Sequence, residues 1–415
     1  MAVIVFIVIF QEAIMIKRTH LLENVESFID KDIIKVLTGL RRSGKSVLLS
    51  QIRELLIERG VNPANILFYN FENMTHGHLL SAESLHEEIK SRLSGINGKT
   101  YLFFDEIQEV KEWEKCINSF RVAFDVDIYV TGSNAKLLSG ELATLIAGRY
   151  VEIKVYPFSF SEFIKMSEAI FPDAKKTELF KKYLLFGGMP FLANLELDPQ
   201  SSFIYLKDVF DSVILKDVIK RNKIRDIDLL ERVIQFVVAN VGNTFSATSI
   251  SRFLKSENRT VAPETILNHI KVCEEAFLFN KVLREDIIGK KILQVNEKYF
   301  ITDHGIREAI YGNNERDINL VLENIVFLEM LRRGYKINIG RVHNEEIDFV
   351  CRKNNETIYI QVAYLLATEE TIRREFDVLK KVPDNYPKFV LSMDQFDFSR
   401  DGIKHFNIPD FLTNQ

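Results

Sequence analysis

Cysteine, tryptophan and net charge are all scarce in this chain. Its 415 residues include three cysteines, Cys116, Cys273 and Cys351, which are far apart and odd in number. That usage excludes a disulfide framework and a cysteine-built zinc site, and it points to a reducing, cytoplasmic compartment. The formal net charge of −4 removes any global electrostatic case for nucleic-acid binding, so such a site would need a local basic patch. Long apolar runs are missing too. The run Ala2–Phe10 is too short to span a bilayer. It lacks a basic flank and a small-residue cleavage site, so it makes a poor signal peptide and no membrane association is expected. The globular pattern begins at Met15-Ile16-Lys17-Arg18, and residues 1–14 read as an apolar extension from an over-long start.

What is present is the balance of a soluble globular protein, 47% hydrophobic and 27% charged. A chain of this length exceeds one ordinary core, so two or three domains are expected. Residues 39–46 read Gly-Leu-Arg-Arg-Ser-Gly-Lys-Ser and fit the phosphate-loop spacing G-x-x-x-x-G-K-[ST] at every fixed position. An apolar strand, Ile33–Thr38, precedes them, and a helix, Val47–Leu56, follows. That order lets Gly39 and Gly44 curl the backbone so that N–H groups face phosphate oxygens, with the positive end of the helix behind them. Lys45 is placed to reach the β- and γ-phosphates and Ser46 to ligate Mg²⁺. The nucleotide-contacting set is Gly39, Arg41, Arg42, Ser43, Gly44, Lys45, Ser46 and Val47.

Thr100–Glu106 is an apolar strand ending in two carboxylates, the Walker B pattern of the additional-strand class of phosphate-loop enzymes. Asp105 is expected to hold Mg²⁺ and Glu106 to act as general base on the attacking water. The strand Asp127–Thr131 runs into Gly132-Ser133-Asn134 and is expected between the phosphate-loop and Walker B strands. Ser133 or Asn134 then becomes a sensor of the γ-phosphate, unless Gly-Ser-Asn is simply a turn. Arg149, in Ala147-Gly148-Arg149-Tyr150, is placed to act as an arginine finger on a neighbouring subunit; the alternative is an ordinary surface arginine. Alternating strands and helices over residues 33–156 imply a mostly parallel α/β sheet with helices on both faces, and a phosphate site at the C-terminal strand ends.

From Pro157 the pattern is helical, broken at Leu185–Pro190. Residues 228–305 read as a winged helix. Its third helix, Val261–Phe277, would present Glu264, Thr265, Asn268, His269 and Lys271, and its wing Arg284, Lys290 and Lys291. That weakly basic face leaves duplex DNA and another protein both open as partners. Towards the C-terminus, Glu323 on a helix, Asp348 on one strand and Gln361 on the next follow the metal-binding pattern of restriction-endonuclease-like folds. Ala363 stands where that chemistry requires lysine, so the fold is expected without the activity.

Together these motifs, with Phe104–Gln108, Val130–Asn134, Tyr183–Pro190 and Glu346–Phe349, resemble a prokaryotic family of AAA-type ATPases carrying a C-terminal domain of unknown function. The resemblance runs from Met15 to the C-terminus. It implies a phosphate-loop ATPase core over 15–157, a helical lid over 158–226, a winged helix over 227–305 and a nuclease-like α/β domain over 306–415. ATP, rather than guanine nucleotide, is implied by the family. Three functions compete: an Mg²⁺-dependent ATP hydrolase that moves a C-terminal DNA- or protein-binding module, a nucleotide-gated switch with negligible turnover, and an ATPase-coupled nuclease. The first calls on Lys45, Ser46, Asp105 and Glu106, and on a homo-oligomer if Arg149 acts in trans.

Overall fold

A computed structural model of the chain describes residues 15–135, 148–289, 291–312 and 314–414. The apolar extension 1–14, Ala147 and Lys290 lie outside the described residues.

Five parallel strands build the first sheet: β1 (Ile34–Thr38), β2 (Ile66–Asn70), β3 (Thr100–Asp105), β4 (Val126–Gly132) and β5 (Tyr150–Lys154). Their order is β2-β3-β4-β1-β5, so β4 lies between the phosphate-loop strand and the strand ending in Asp105. Strands covered on both faces are read in sequence as near-continuous apolar runs. Alternate residues then serve opposite layers. Leu37, Phe103 and Tyr129 pack with α1 (Thr19–Glu26) and α2 (Lys45–Glu58). Val36, Leu102, Phe104 and Val130 pack with α3 (Ala82–Leu93) and α4 (Trp113–Ala123). One ion pair crosses this core: Lys35 and Asp127 are both buried and meet directly. The Tyr129 hydroxyl and the Asp30 N–H also donate to Asp127, each at 2.9 Å. A satisfied network of this kind ties β1 to β4 at the end away from the phosphate loop.

The connector begins with α5 (Phe160–Glu168), whose Ser159 and Glu162 form a reciprocal capping box. It continues through α6 (Lys176–Phe186) and α7 (Pro199–Ser212). The sequence reads as helix-rich over 202–221. The structure divides this stretch, because Val213–Lys220 widens into a π-helix. At the Leu185–Pro190 break, Gly187 adopts φ 70°, and a Cβ there would lie 2.3 Å from the Asp303 carboxylate. Asp303 accepts the Gly188 N–H at 2.8 Å and caps α11 (His304–Tyr311). Burial pushes its carboxyl up to about 6. The glycine pair is therefore the joint that locks the connector to the second half.

That half contains α8 (Ile227–Ala239), α9 (Ala247–Ser256), α10 (Pro263–Glu275), the hairpin β6 (Phe279–Asp286) and β7 (Lys291–Ile301), then α11 and α12 (Ile318–Arg332). Strands β8 (Lys336–Val342), β9 (Glu345–Lys353), β10 (Glu356–Val362), β11 (Lys388–Ser392) and β12 (Lys404–Asn407) follow, with α13 (Glu369–Lys380) after β10. The hairpin does not stand apart. β6 pairs in parallel with β8, giving one seven-stranded sheet of order β12-β11-β10-β9-β8-β6-β7. Two residues of the expected recognition surface are also otherwise engaged. His269 is buried with Nδ1 2.7 Å from the Thr265 carbonyl, and Arg284 pairs with Glu346. No helix among the described residues is long and apolar enough to cross a membrane.

Candidate nucleotide site

The loop after β1 is shaped by close approach. At Gly39, φ is 147° and an added Cβ would sit 2.2 Å from the Val155 carbonyl oxygen, so only glycine lets β1 turn beneath the chain leaving β5. Gly44, at φ 99°, is the N-cap of α2. Lys45 opens that helix and is buried. Its Nζ donates to the carbonyls of Gly39 and Leu40, each at 3.0 Å, within its own loop. Burial lowers its pKa, and the charges of Glu106 and Asp217 work against that shift. Ser43 is buried with a hydroxyl that has no hydrogen-bond partner among the described residues, an orphaned donor inside the cradle. Arg42, Ser46 and Val47 are exposed on the loop and the first turn.

Asp105 ends β3, buried. Its Oδ1 accepts the Thr131 hydroxyl at 2.6 Å and its Oδ2 accepts Asn70 Nδ2 at 2.9 Å. Both oxygens keep lone pairs, yet both are already held by the protein, which suits an ion bound through its water shell. Glu106 follows at φ 53°, left-handed and uncommon for a residue with a side chain. Its N–H donates to Thr131 Oγ1 at 2.9 Å and its carboxylate accepts Gln108 Nε2. Burial raises its pKa, opposed chiefly by the Lys45 charge. Ser133 and Asn134, at the end of β4, are both buried.

Arg149 is the predicted site residue left out. It is exposed, and its carbonyl accepts the Ile34 N–H at the start of β1. The phosphate loop leaves the other end of that strand, so the Arg149 backbone lies at the opposite end of the sheet from its own chain's loop.

Two residues were missed by sequence reasoning. Arg18 is buried. It holds both Glu162 oxygens, at 2.8 and 3.0 Å, and donates to the Ser43 carbonyl at 3.3 Å and the Tyr156 carbonyl at 2.8 Å, bracing the loop from behind. Asp217, on the π-helix, accepts Arg41 Nε at 2.9 Å and the Ser133 hydroxyl at 3.0 Å. Arg41 also reaches Glu72 at 3.0 Å. Burial works against the Arg41 cation, but its bonds to Asp217 and Glu72 outweigh that and hold its pKa above the usual arginine value. A signal for Asp217 was available: it falls four residues after Val213 and next to Val218, on the buried stripe of an apolar helix.

The order of the strands, with β4 inserted between β1 and β3, and the buried Lys45, Asp105 and Glu106 at their ends agree with the matches to known proteins. Residues 31–164 match a family model described as an AAA domain, and residues 177–317 match one described as a domain of unknown function, DUF8612. The chain belongs to the AAA-type P-loop ATPases, with a second domain of unknown function. A relative in Haemophilus influenzae, described as an uncharacterized protein, is 40% identical over 399 residues, covering 96% of this chain and 98% of its own length. An uncharacterized protein of Methanocaldococcus jannaschii is 29% identical, covering 91% of this chain and 85% of its own. Among solved structures, the Walker-type ATPase PABY2304 of Pyrococcus abyssi aligns with a TM-score of 0.52 at 15% identity. It covers 71% of this chain and 95% of that one, a likeness of fold alone.

Proposed function

We propose that this AAA-type protein binds and hydrolyses ATP with Mg²⁺ and uses the cycle to move a partner-binding C-terminal module. The observation that carries the reading is the convergence of Lys45, Asp105 and Glu106, with Thr131 bonded to both the Asp105 side chain and the Glu106 backbone. Lys45 and the N–H groups of residues 39–47 would hold the phosphates; Ser46 and Asp105 would hold Mg²⁺, which would supply charge neutralisation. Glu106 takes the proton of the attacking water, and Ser133 or Asn134 contacts the terminal phosphate. Arg149, at the opposite end of the sheet from its own loop, would act only on the site of a second copy.

Residues 15–157 form the core in this reading, 158–226 the lid, 227–305 a winged helix and 306–415 a nuclease-like domain. Of the cations that sequence assigns to the DNA face, Lys271 and Lys291 remain exposed, whereas Arg284 is spent on Glu346. The apolar Leu267 and Phe253 are exposed on α10 and α9. That composition favours a protein partner over duplex DNA.

The nuclease reading has less support. Asp348 accepts the Val362 N–H at 2.8 Å, and Gln361 bonds Glu375 at 2.9 Å. Ala363 supplies no cation, and Lys298, 3.8 Å from Glu323, is paired with Glu346 at 2.6 Å. Among the described residues no group of three acidic, histidine or cysteine side chains could hold a metal ion.

ATP hydrolysis by the chain from Met15, measured across protein concentrations with and without duplex DNA, tests the assembly. Specific activity rising with concentration is expected if Arg149 works in trans, and Arg149→Ala should flatten that rise. Stimulation by DNA would overturn the preference for a protein partner. A second expectation concerns pH. Because burial raises Glu106, its base form develops only above the ordinary carboxylate value of about 4.3. Turnover should therefore climb with pH along a limb displaced upward from that value, read as kcat from about pH 5 to 8. A flat profile would remove Glu106 as the base. The same shift makes Glu106 favour the folded chain at low pH, a contribution lost as pH rises through the raised value.

A further inference from the structure

Asp217 has no exposed surface, although it belongs to the connector rather than to the core sheet. A carboxylate so placed costs several kcal/mol unless it is paired. Its partners are a cation of the phosphate loop, Arg41, and the Ser133 hydroxyl at the end of the inserted strand. Arg221, one turn along, lies 3.5 Å away. The charge of Lys45 is also felt: Asp217 is, after Glu106, the strongest anion acting to keep that lysine protonated. A loop cation, a hydroxyl at the strand end and a nearby lysine are the groups that a terminal phosphate would recruit. Asp217 thus offers the same partners another anion.

The segment that carries it is unusual in the same way. Val213–Lys220 is a π-helix directly continuing the α-helix Pro199–Ser212. A wide turn holds one more residue than an α-turn, so returning to the α register turns the side chains progressively along the segment, by about 100° once the extra residue is absorbed. That rotation would carry Asp217 away from Arg41 and Ser133. The helix before it packs on His304–Tyr311 of the second half, so the register change would be felt beyond the lid.

We propose that Asp217 is the positioning residue through which the lid reads the nucleotide's terminal phosphate: it competes with that phosphate for Arg41 and Ser133, and its displacement drives the π segment towards the α register. ADP, lacking the third phosphate, leaves Asp217 in place. The inference rests on nucleotide binding at Lys45.

Titration of the full chain with ATPγS and with ADP by calorimetry, for the wild type, Asp217→Asn and Lys45→Ala, tests it. Asn keeps the size and hydrogen-bonding capacity of the side chain without its charge. Asp217→Asn should tighten ATPγS roughly tenfold, within the usual range of coupling between two sites, and change ADP by less than about threefold. A merely structural role would shift both nucleotides alike, and an unchanged ratio of the two affinities overturns the proposal. Hydrogen exchange on the wild-type chain needs no variant. Amides of residues 213–221 should exchange differently with ATPγS than with ADP, and identical exchange overturns it independently. Lys45→Ala separates the two failures: if it binds ATPγS as the wild type does, the site assignment itself is wrong.

Discussion

Lys45→Ala should lower turnover by at least about 10²–10³-fold, the loss typical of removing one preorganised charge from a transition state. The lysine is buried and its own loop carbonyls hold it in position, at 3.0 Å each. Its removal acts twice. The phosphates lose a cation, and Glu106 loses the charge that most strongly opposes the rise of its pKa. Glu106 would then be protonated to higher pH and work less as a base near neutrality. The variant should also bind nucleotide more weakly, so phosphate release should be measured at several ATP concentrations. Undiminished turnover at saturation would sink the assignment of the loop.

Glu106→Gln should separate binding from chemistry. Gln fills the same volume, suits the same left-handed backbone and can still accept from Gln108 through its carbonyl oxygen. It cannot take a proton. A general base contributes roughly 10²–10⁴ in rate, so kcat should fall by that factor while ATP affinity stays within a few-fold of the wild type. The variant would then accumulate with ATP bound, which makes it the form in which to look for a partner. If the basal rate and nucleotide-dependent partner binding were both unchanged, the chain would be a binding switch rather than a motor.

How much of this was legible beforehand follows from the range of each interaction. The phosphate loop was readable because its geometry is fixed within eight residues. Gly39 and Gly44 satisfy backbone demands that few other residues meet, and Lys45 and Ser46 follow at a set spacing. The strand ending in Asp105 and Glu106 was readable because a strand buried on both faces must be apolar throughout, which makes two terminal acids stand out. The place of β4 between β1 and β3 followed from the same pattern and is seen in the strand order.

The sequence by itself determined the local pattern: a strand ending in two carboxylates, a lysine opening a helix and the turn before it. The tertiary structure alone decided what those groups face. Arg41 and Asp217 lie 176 positions apart, and no periodicity couples them. Only the docking of the connector onto the core puts a buried acid against the phosphate loop. The same holds for Arg284, which reads as a free wing cation until β6 joins the sheet beside β8, whose other neighbour β9 carries Glu346. His269 likewise reads as exposed until helix packing turns it inward. Motifs are written in neighbouring backbone geometry, and they survive in a one-dimensional reading. Ion pairs between distant elements depend on burial and on which faces meet, and those are set when the whole chain packs.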